Sequence, residues 1–133
     1  MKEAREKNDT AKRVSRIRQL LYGYRKEQEA IIWELARSGA MVIGSFYQVY
    51  KTCNKPNCIC KKGKRHGPYP ALFMSIEGKR KLKMVRLGDV LEIAEKAKMY
   101  QRFQKGMTKI RKLNTEVDNL LEELKGYLVE EYE

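Results

Sequence analysis

The sequence predicts an α+β chain, mainly helical: two long helices forming an antiparallel coiled coil around a small three-stranded antiparallel sheet. Three observations predict it. Apolar residues recur at alternating steps of three and four towards both ends of the chain. Between these stretches, residues 41–52 and 69–87 turn to β-branched and aromatic composition. All three cysteines and the single histidine then fall within fourteen residues of that central part, Cys53 to His66. A chain of 133 residues is one domain's worth, and 42% hydrophobic with 35% charged residues suits a helical protein better than a large globular core. One domain, 1–133, is therefore expected, with an N-terminal helix over 9–38, a β module over 39–88 and a long C-terminal helix over 89–132.

In the first helix Val14, Ile17, Leu21, Tyr24, Gln28, Ile31 and Leu35 form an a/d stripe. Asp9 or Thr10 can cap its start, and Gly39 can supply a left-handed stop. Gly23 marks a close approach or a bend, and Trp33, off the stripe, is expected to pack where the helix meets the β module. The module reads as a strand over 41–52, a second from Tyr69 to Ile76, a turn at Glu77-Gly78-Lys79, and a third from Arg80 to Leu87. In the third, Leu82 and Met84 point one way and Lys79, Lys81 and Lys83 the other.

Asp89, with Glu92 three residues on, then reads as a capping box. Heptads follow, with Tyr100, Met107, Asn114, Leu121 and Leu128 at a and Phe103, Ile110, Val117 and Leu124 at d. Antiparallel helices of these lengths leave the end of the second one uncovered. Leu120, Leu121, Leu124, Tyr127 and Leu128 are thus the candidate oligomer interface, for a homodimer or a helical protein partner.

The central loop is the candidate metal site. Thiolate sulfur and imidazole nitrogen are the ligands zinc prefers, and a structural site takes four in tetrahedral array. Cys53, Cys58, Cys60 and His66 are four, in a loop whose Pro56, Gly63, Gly67 and Pro68 allow sharp turns. The Cys-x-Cys step is tighter than the usual Cys-x-x-Cys. A disulfide is disfavoured by the odd cysteine count and by the absence of a secretory segment in the charged first twenty residues. Structural Zn²⁺ and a cytoplasmic location are the expectations, without a membrane span, since Glu34, Arg37 and two glycines interrupt the most apolar stretch.

The pattern Cys-x4-Cys-x-Cys, a basic run, His66-Gly67-Pro68-Tyr69 and a β-like segment resembles a family of short prokaryotic proteins of unknown function. The resemblance covers about Phe46 to Leu87, and flanking helices are typical of that family. Where relatives tend to carry another aromatic, this chain has Pro70-Ala71-Leu72. The resemblance implies a fold and a metal site but no activity.

Charge points to a partner. The net charge is +12, and residues 39–88 carry eleven basic groups against one acid, Glu77. Such a field attracts polyanions, nucleic acid above all. Lys61, Lys62, Lys64 and Arg65 in the loop, and Lys79, Arg80, Lys81, Lys83 and Arg86 beyond it, are the candidate contacts to a phosphate backbone. Tyr47, Tyr50 and Tyr69 could stack on bases, although strand aromatics are more often core. Lys98, Arg102, Lys105, Lys109 and Lys112 form a further basic stripe on the second helix, commonly only a solvated face. A non-enzymatic, zinc-stabilised nucleic-acid-binding protein is expected, DNA ahead of RNA, oligomerising through its coiled coil. The alternative is a structural adaptor whose zinc module is a cap or a protein-binding tip. An enzyme with a small-molecule substrate is disfavoured, because four ligands leave no open metal position and no second histidine remains as a base.

Overall fold

Residues 2–132 are described by the computed structural model, in which the chain divides into two compact units. One holds the residues up to Arg37 and those from Lys105 onward; the other is Ser38–Gln104. The second unit contains the expected module of 39–88 and about four turns of the helix that follows it.

In the helical unit, helix α1 (Lys2–Ala36) meets the later part of helix α2 (Val90–Leu128) in antiparallel order. Arg13 pairs with Glu123, Glu27 with Lys109, and Gln28 with Asn114. The α1 stripe read from the sequence is the covered one: Val14, Ile17 and Gln28 are buried, and Leu21, Tyr24, Ile31 and Leu35 are half-buried. Gln28 is the buried polar member. Its Nε2 donates to Asn114 Oδ1 at 2.5 Å and to the Ile110 carbonyl at 3.3 Å, so its burial leaves no donor stranded.

Several expectations need correction here. Helix α1 starts at Lys2 and not at Asp9 or Thr10, because the preceding stretch lacks glycine and proline and sets Glu3 one turn before Lys7. It stops at Ala36, with the Arg37 N–H on the Trp33 carbonyl, and Gly39 is not left-handed. Trp33 does not pack; it is 59% exposed. On α2, Leu113 and Leu120 are buried, whereas Asn114 and Leu121 are exposed. In the helical unit the seam therefore runs through Gly106, Ile110, Leu113, Val117, Leu120 and Leu124; of the expected a positions Met107 is half-buried, Asn114 meets it only through Gln28, and Leu121 and Leu128 lie outside it.

Gly106 supplies the physical reason. A Cβ there would stand 2.8 Å from both Leu35 methyls, so the bare backbone faces Leu35 and carries Leu113 and Leu120 inward with it at heptad spacing. At Gly23, by contrast, a Cβ would meet open space. The length mismatch also disappears. Arg13, eleven residues into α1, already reaches Glu123, and Leu120 is covered within the chain, while Leu121, Tyr127 and Leu128 stay exposed.

The second unit holds strands β1 (Ser45–Lys51), β2 (His66–Ile76) and β3 (Lys79–Met84), antiparallel in that order. Residues 41–44 stay outside β1: Gly44 has φ +130°, and the Val42 N–H bonds the Lys96 carbonyl of α2. Strand β2 begins at His66, which pairs with Lys51. The β2–β3 turn is the two residues Glu77-Gly78, both with positive φ, the twist that suits a tight hairpin. Strand β3 ends at Met84, and Leu87–Asp89 form a 3₁₀ turn. The expected capping box is replaced by a side-chain pair one turn apart, with Lys96 Nζ 2.6 Å from Glu92 Oε1.

Strand register sorts the sheet into two faces. Leu72 and Met74 share one with Lys79, Lys81 and Lys83, as the pairs Leu72↔Lys83, Met74↔Lys81 and Ile76↔Lys79 require. Leu72 and Met74 line a cavity of about 400 Å³ with Val42 and Ile93, so α2 approaches this face. Leu82 and Met84 do lie opposite the three lysines, but on the open face, 46% and 40% exposed. No described helix is long and apolar enough to cross a membrane.

Candidate metal centre and basic surface

The sheet delivers four ligand-type side chains to one place. Cys53 follows the end of β1. The chain then turns through the Cys58 N–H to the Lys55 carbonyl, 3.3 Å, and enters a 3₁₀ turn at Ile59–Lys62 that carries Cys60. Gly63, left-handed at φ +100°, closes that turn with its N–H on the Cys60 carbonyl. This geometry accommodates the tight Cys-x-Cys step. Cys58 is extended (φ −79°, ψ 146°) and Cys60 helical, so both sulfurs reach inward, while Ile59 between them is 57% exposed.

His66 arrives from the opposite side. Between the pairs Val49↔Tyr69 and Lys51↔His66, two residues of β2 face one of β1, which is a β-bulge. Gly67 sits in it at φ +134°, where a Cβ would lie 2.7 Å from the Val49 carbonyl oxygen. The bend aims His66 at the cysteines, with Nε2 3.0 Å from Cys58 Sγ.

The four ligand atoms all lie within 4.8 Å of one another, and Cys53 Sγ is 3.5 Å from Cys60 Sγ. Tetrahedral bonds of about 2.3 Å to sulfur imply sulfur separations of roughly 3.7 Å, so the donor set and its spacing fit a metal ion. The electrostatics agree. The Cys53 backbone N–H, 3.3 Å from Cys60 Sγ, holds that thiol below its ordinary pKa. At Cys53 the Lys55 backbone N–H acts in the same direction, but the Cys58 and Cys60 side chains outweigh it and push the thiol up. Crowded sulfurs cannot all be thiolates without a cation among them. The cluster can hold a metal ion.

The candidate phosphate contacts fall in two groups. Lys61, Lys62, Lys64 and Arg65 are exposed on the metal loop; Lys79, Lys81 and Lys83 alternate along β3 with Arg80 between them on the other face, and Arg86 lies beyond the strand. Among the described residues none of these nine is in an ion pair, all four pairs being on the helices. Of the helical stripe, Lys109 is partly neutralised by Glu27 at 3.5 Å, and Lys98, Arg102, Lys105 and Lys112 are exposed.

Sequence reasoning passed over Lys51, whose signal was its place just ahead of the cysteine loop; it lines a groove of about 310 Å³ with Cys53, His66, Tyr69 and Met84. It also passed over Phe73. With Tyr47, Tyr50 and Tyr69, Phe73 is solvent-exposed and not core.

No curated protein and no solved structure matches this chain. A family model does match it over residues 14–95, from the first buried turn of α1 through the cysteine loop and sheet to the start of α2, and the chain belongs to that family, the domain of unknown function DUF6788.

Proposed function

We propose that the protein is a non-enzymatic nucleic-acid-binding protein whose β module is held by a structural zinc ion. One observation carries this reading: residues 39–88 combine eleven basic side chains with a single acid, and none of the nine candidate contacts is in an ion pair among the described residues. Unpaired cations at that density repel one another, and a polyanion relieves the repulsion while releasing its own counterions. Cys53, Cys58, Cys60 and His66 would hold the zinc. Bound there, it ties the end of β1 to the start of β2 and supplies rigidity that a small three-stranded sheet lacks.

Four protein ligands leave no open coordination position for catalysis. The one acid of residues 39–88, Glu77, is at the other end of the eleven-residue β2 from His66, roughly 30 Å away. An adaptor role explains the paired helices equally well, but it gives no use to the basic surface.

The test is the salt dependence of binding. Each neutralised phosphate contributes about 0.9 to the slope of log affinity against log salt on duplex DNA. Replacing Lys79, Lys81 and Lys83 together by glutamine keeps the inner half of each aliphatic stem beside Leu72 and Met74 and removes three charges. The slope should flatten by about 2–3 units. A folded, metal-loaded triple variant with an unchanged slope would transfer the reading to the adaptor.

A further inference from the structure

We infer that the open face of the sheet receives single-stranded nucleic acid, with unpaired bases stacked on Tyr47, Phe73 and Tyr69. This rests on the nucleic-acid reading above and specifies which form is bound. The pairs Ser45↔Phe73, Tyr47↔Ala71, Val49↔Tyr69 and Phe73↔Leu82 put the three rings, Leu82 and Met84 on one face. Tyr47 is 58% exposed, Phe73 41% and Tyr69 40%. Ala71, paired with Tyr47 on one side and Met84 on the other, is fully buried in their midst, so the exposed surface of this face is that of the larger side chains around it. The Tyr47 and Phe73 rings meet edge to face at 5.7 Å, which fixes their planes while leaving ring surface outward.

Two grooves extend this surface. One, of about 810 Å³, lies towards the β2–β3 turn, where Tyr47, Phe73, Leu82 and Arg80 meet Tyr100 of α2, and Lys81 of the other face also lines it. The other, at the cysteine end, brings Lys51 beside Tyr69 and Met84. A cation thus stands at each end of an aromatic surface, Arg80 on the same face at one end and Lys51 at the other.

The occupant follows from that combination. Contiguous exposed rings favour a partner with flat apolar surfaces, and the surrounding charge favours a polyanion. Nucleic acid with unpaired bases offers both. In a duplex the base faces are already stacked on each other and cannot reach the rings. An acidic protein surface offers the charge without the planar faces.

The experiment measures anisotropy of labelled dT20 and rU20, with the dA20·dT20 duplex and poly-glutamate as competitors, against the full-length metal-loaded protein. Single strands should bind at least ten-fold more tightly than the duplex, and poly-glutamate should compete poorly. Tyr47→Leu and Phe73→Leu should each weaken single-strand binding roughly ten-fold, since aromatic–base stacking is worth that much per base. Neither should change the salt slope, because no charge is removed. Duplex binding as tight as single-strand binding, or folded ring variants that bind like wild type, would each overturn the inference and leave the phosphate reading standing; poly-glutamate competing as well as dT20 would overturn both in favour of an acidic protein partner. Absence of binding to every nucleic acid would overturn both. Comparing dT20 with rU20 separates DNA from RNA.

Discussion

Two glycines on the paired helices should respond to the same substitution with opposite signs. Gly23 on α1 has open space where a Cβ would go, so Gly23→Ala gains helix propensity of about 1 kcal/mol and meets no clash. Gly106 on α2 gains the same propensity, but its new Cβ would lie 2.8 Å from Leu35 Cδ1 and Cδ2 and 3.1 Å from Cγ. All three are atoms of one flexible side chain, so Leu35 can move, at the cost of about 1–3 kcal/mol that overpacking carries. Gly106→Ala should therefore be neutral to about 2 kcal/mol destabilising, and the two variants should differ by about 1–3 kcal/mol. For a chain of this size that separates their melting temperatures by several degrees. Helical ellipticity followed against temperature reads the difference directly. Leu35→Ala combined with Gly106→Ala tests the cause, because removing the obstructing methyls should cancel most of the clash term. If Gly106→Ala raised the melting temperature as much as Gly23→Ala, the close approach of α2 to Leu35 would be refuted. With it would go the account of why Leu113 and Leu120 are inward.

Metal analysis of protein purified without chelator should find one zinc per chain, and Cys58→Ser or chelation should abolish the tertiary structure of the β module while sparing most of the helical signal. Less than half an equivalent, or an unchanged β module in Cys58→Ser, would count against a structural ion. Self-association is proposed through the side chains of α2 that remain exposed after the helices pair. Leu121→Gln with Leu128→Gln should lower the mass seen by light scattering from dimer to monomer, and a monomeric wild type at micromolar concentration would refute it.

The helices were legible because their signal is repetitive. Seven stripe residues on α1, read from spacing alone, are buried or half-buried, and six of the nine on α2 are as well. Asn114 and Leu121 were misplaced by a single residue, Leu113 and Leu120 being the buried ones, since a 3.6-residue turn lets residues on two adjoining stripes compete for the seam. The deciding partner, Gly106 against Leu35, is a tertiary contact that heptad counting cannot contain. Strand limits slipped for a similar reason. His66 joins β2 and residues 41–44 leave β1 through cross-strand pairing and a left-handed glycine, neither of which is a propensity.

The metal cluster could be read almost completely, because ligand chemistry narrows the choice to cysteine and histidine and the chain offers only four. What the residues could not disclose is which side of the sheet would be covered. Alternation separates Leu82 and Met84 from the three lysines in either arrangement. For an isolated amphipathic strand the apolar side would face inward. Here the central strand decides instead. Leu72 and Met74 set the side that α2 approaches, and the lysine stems lie along that side with their ammonium groups in solvent, as long cationic side chains can. The consequence is functional: on the aromatic side Tyr69 and Phe73 stay about 40% exposed, with α2 bordering that side only through Tyr100 and Gln101 beside Ser45 and Phe73. An exposed ring surface on so basic a module is costly unless something uses it, which is why single-strand preference, and not charge alone, is the sharper test of what this protein binds.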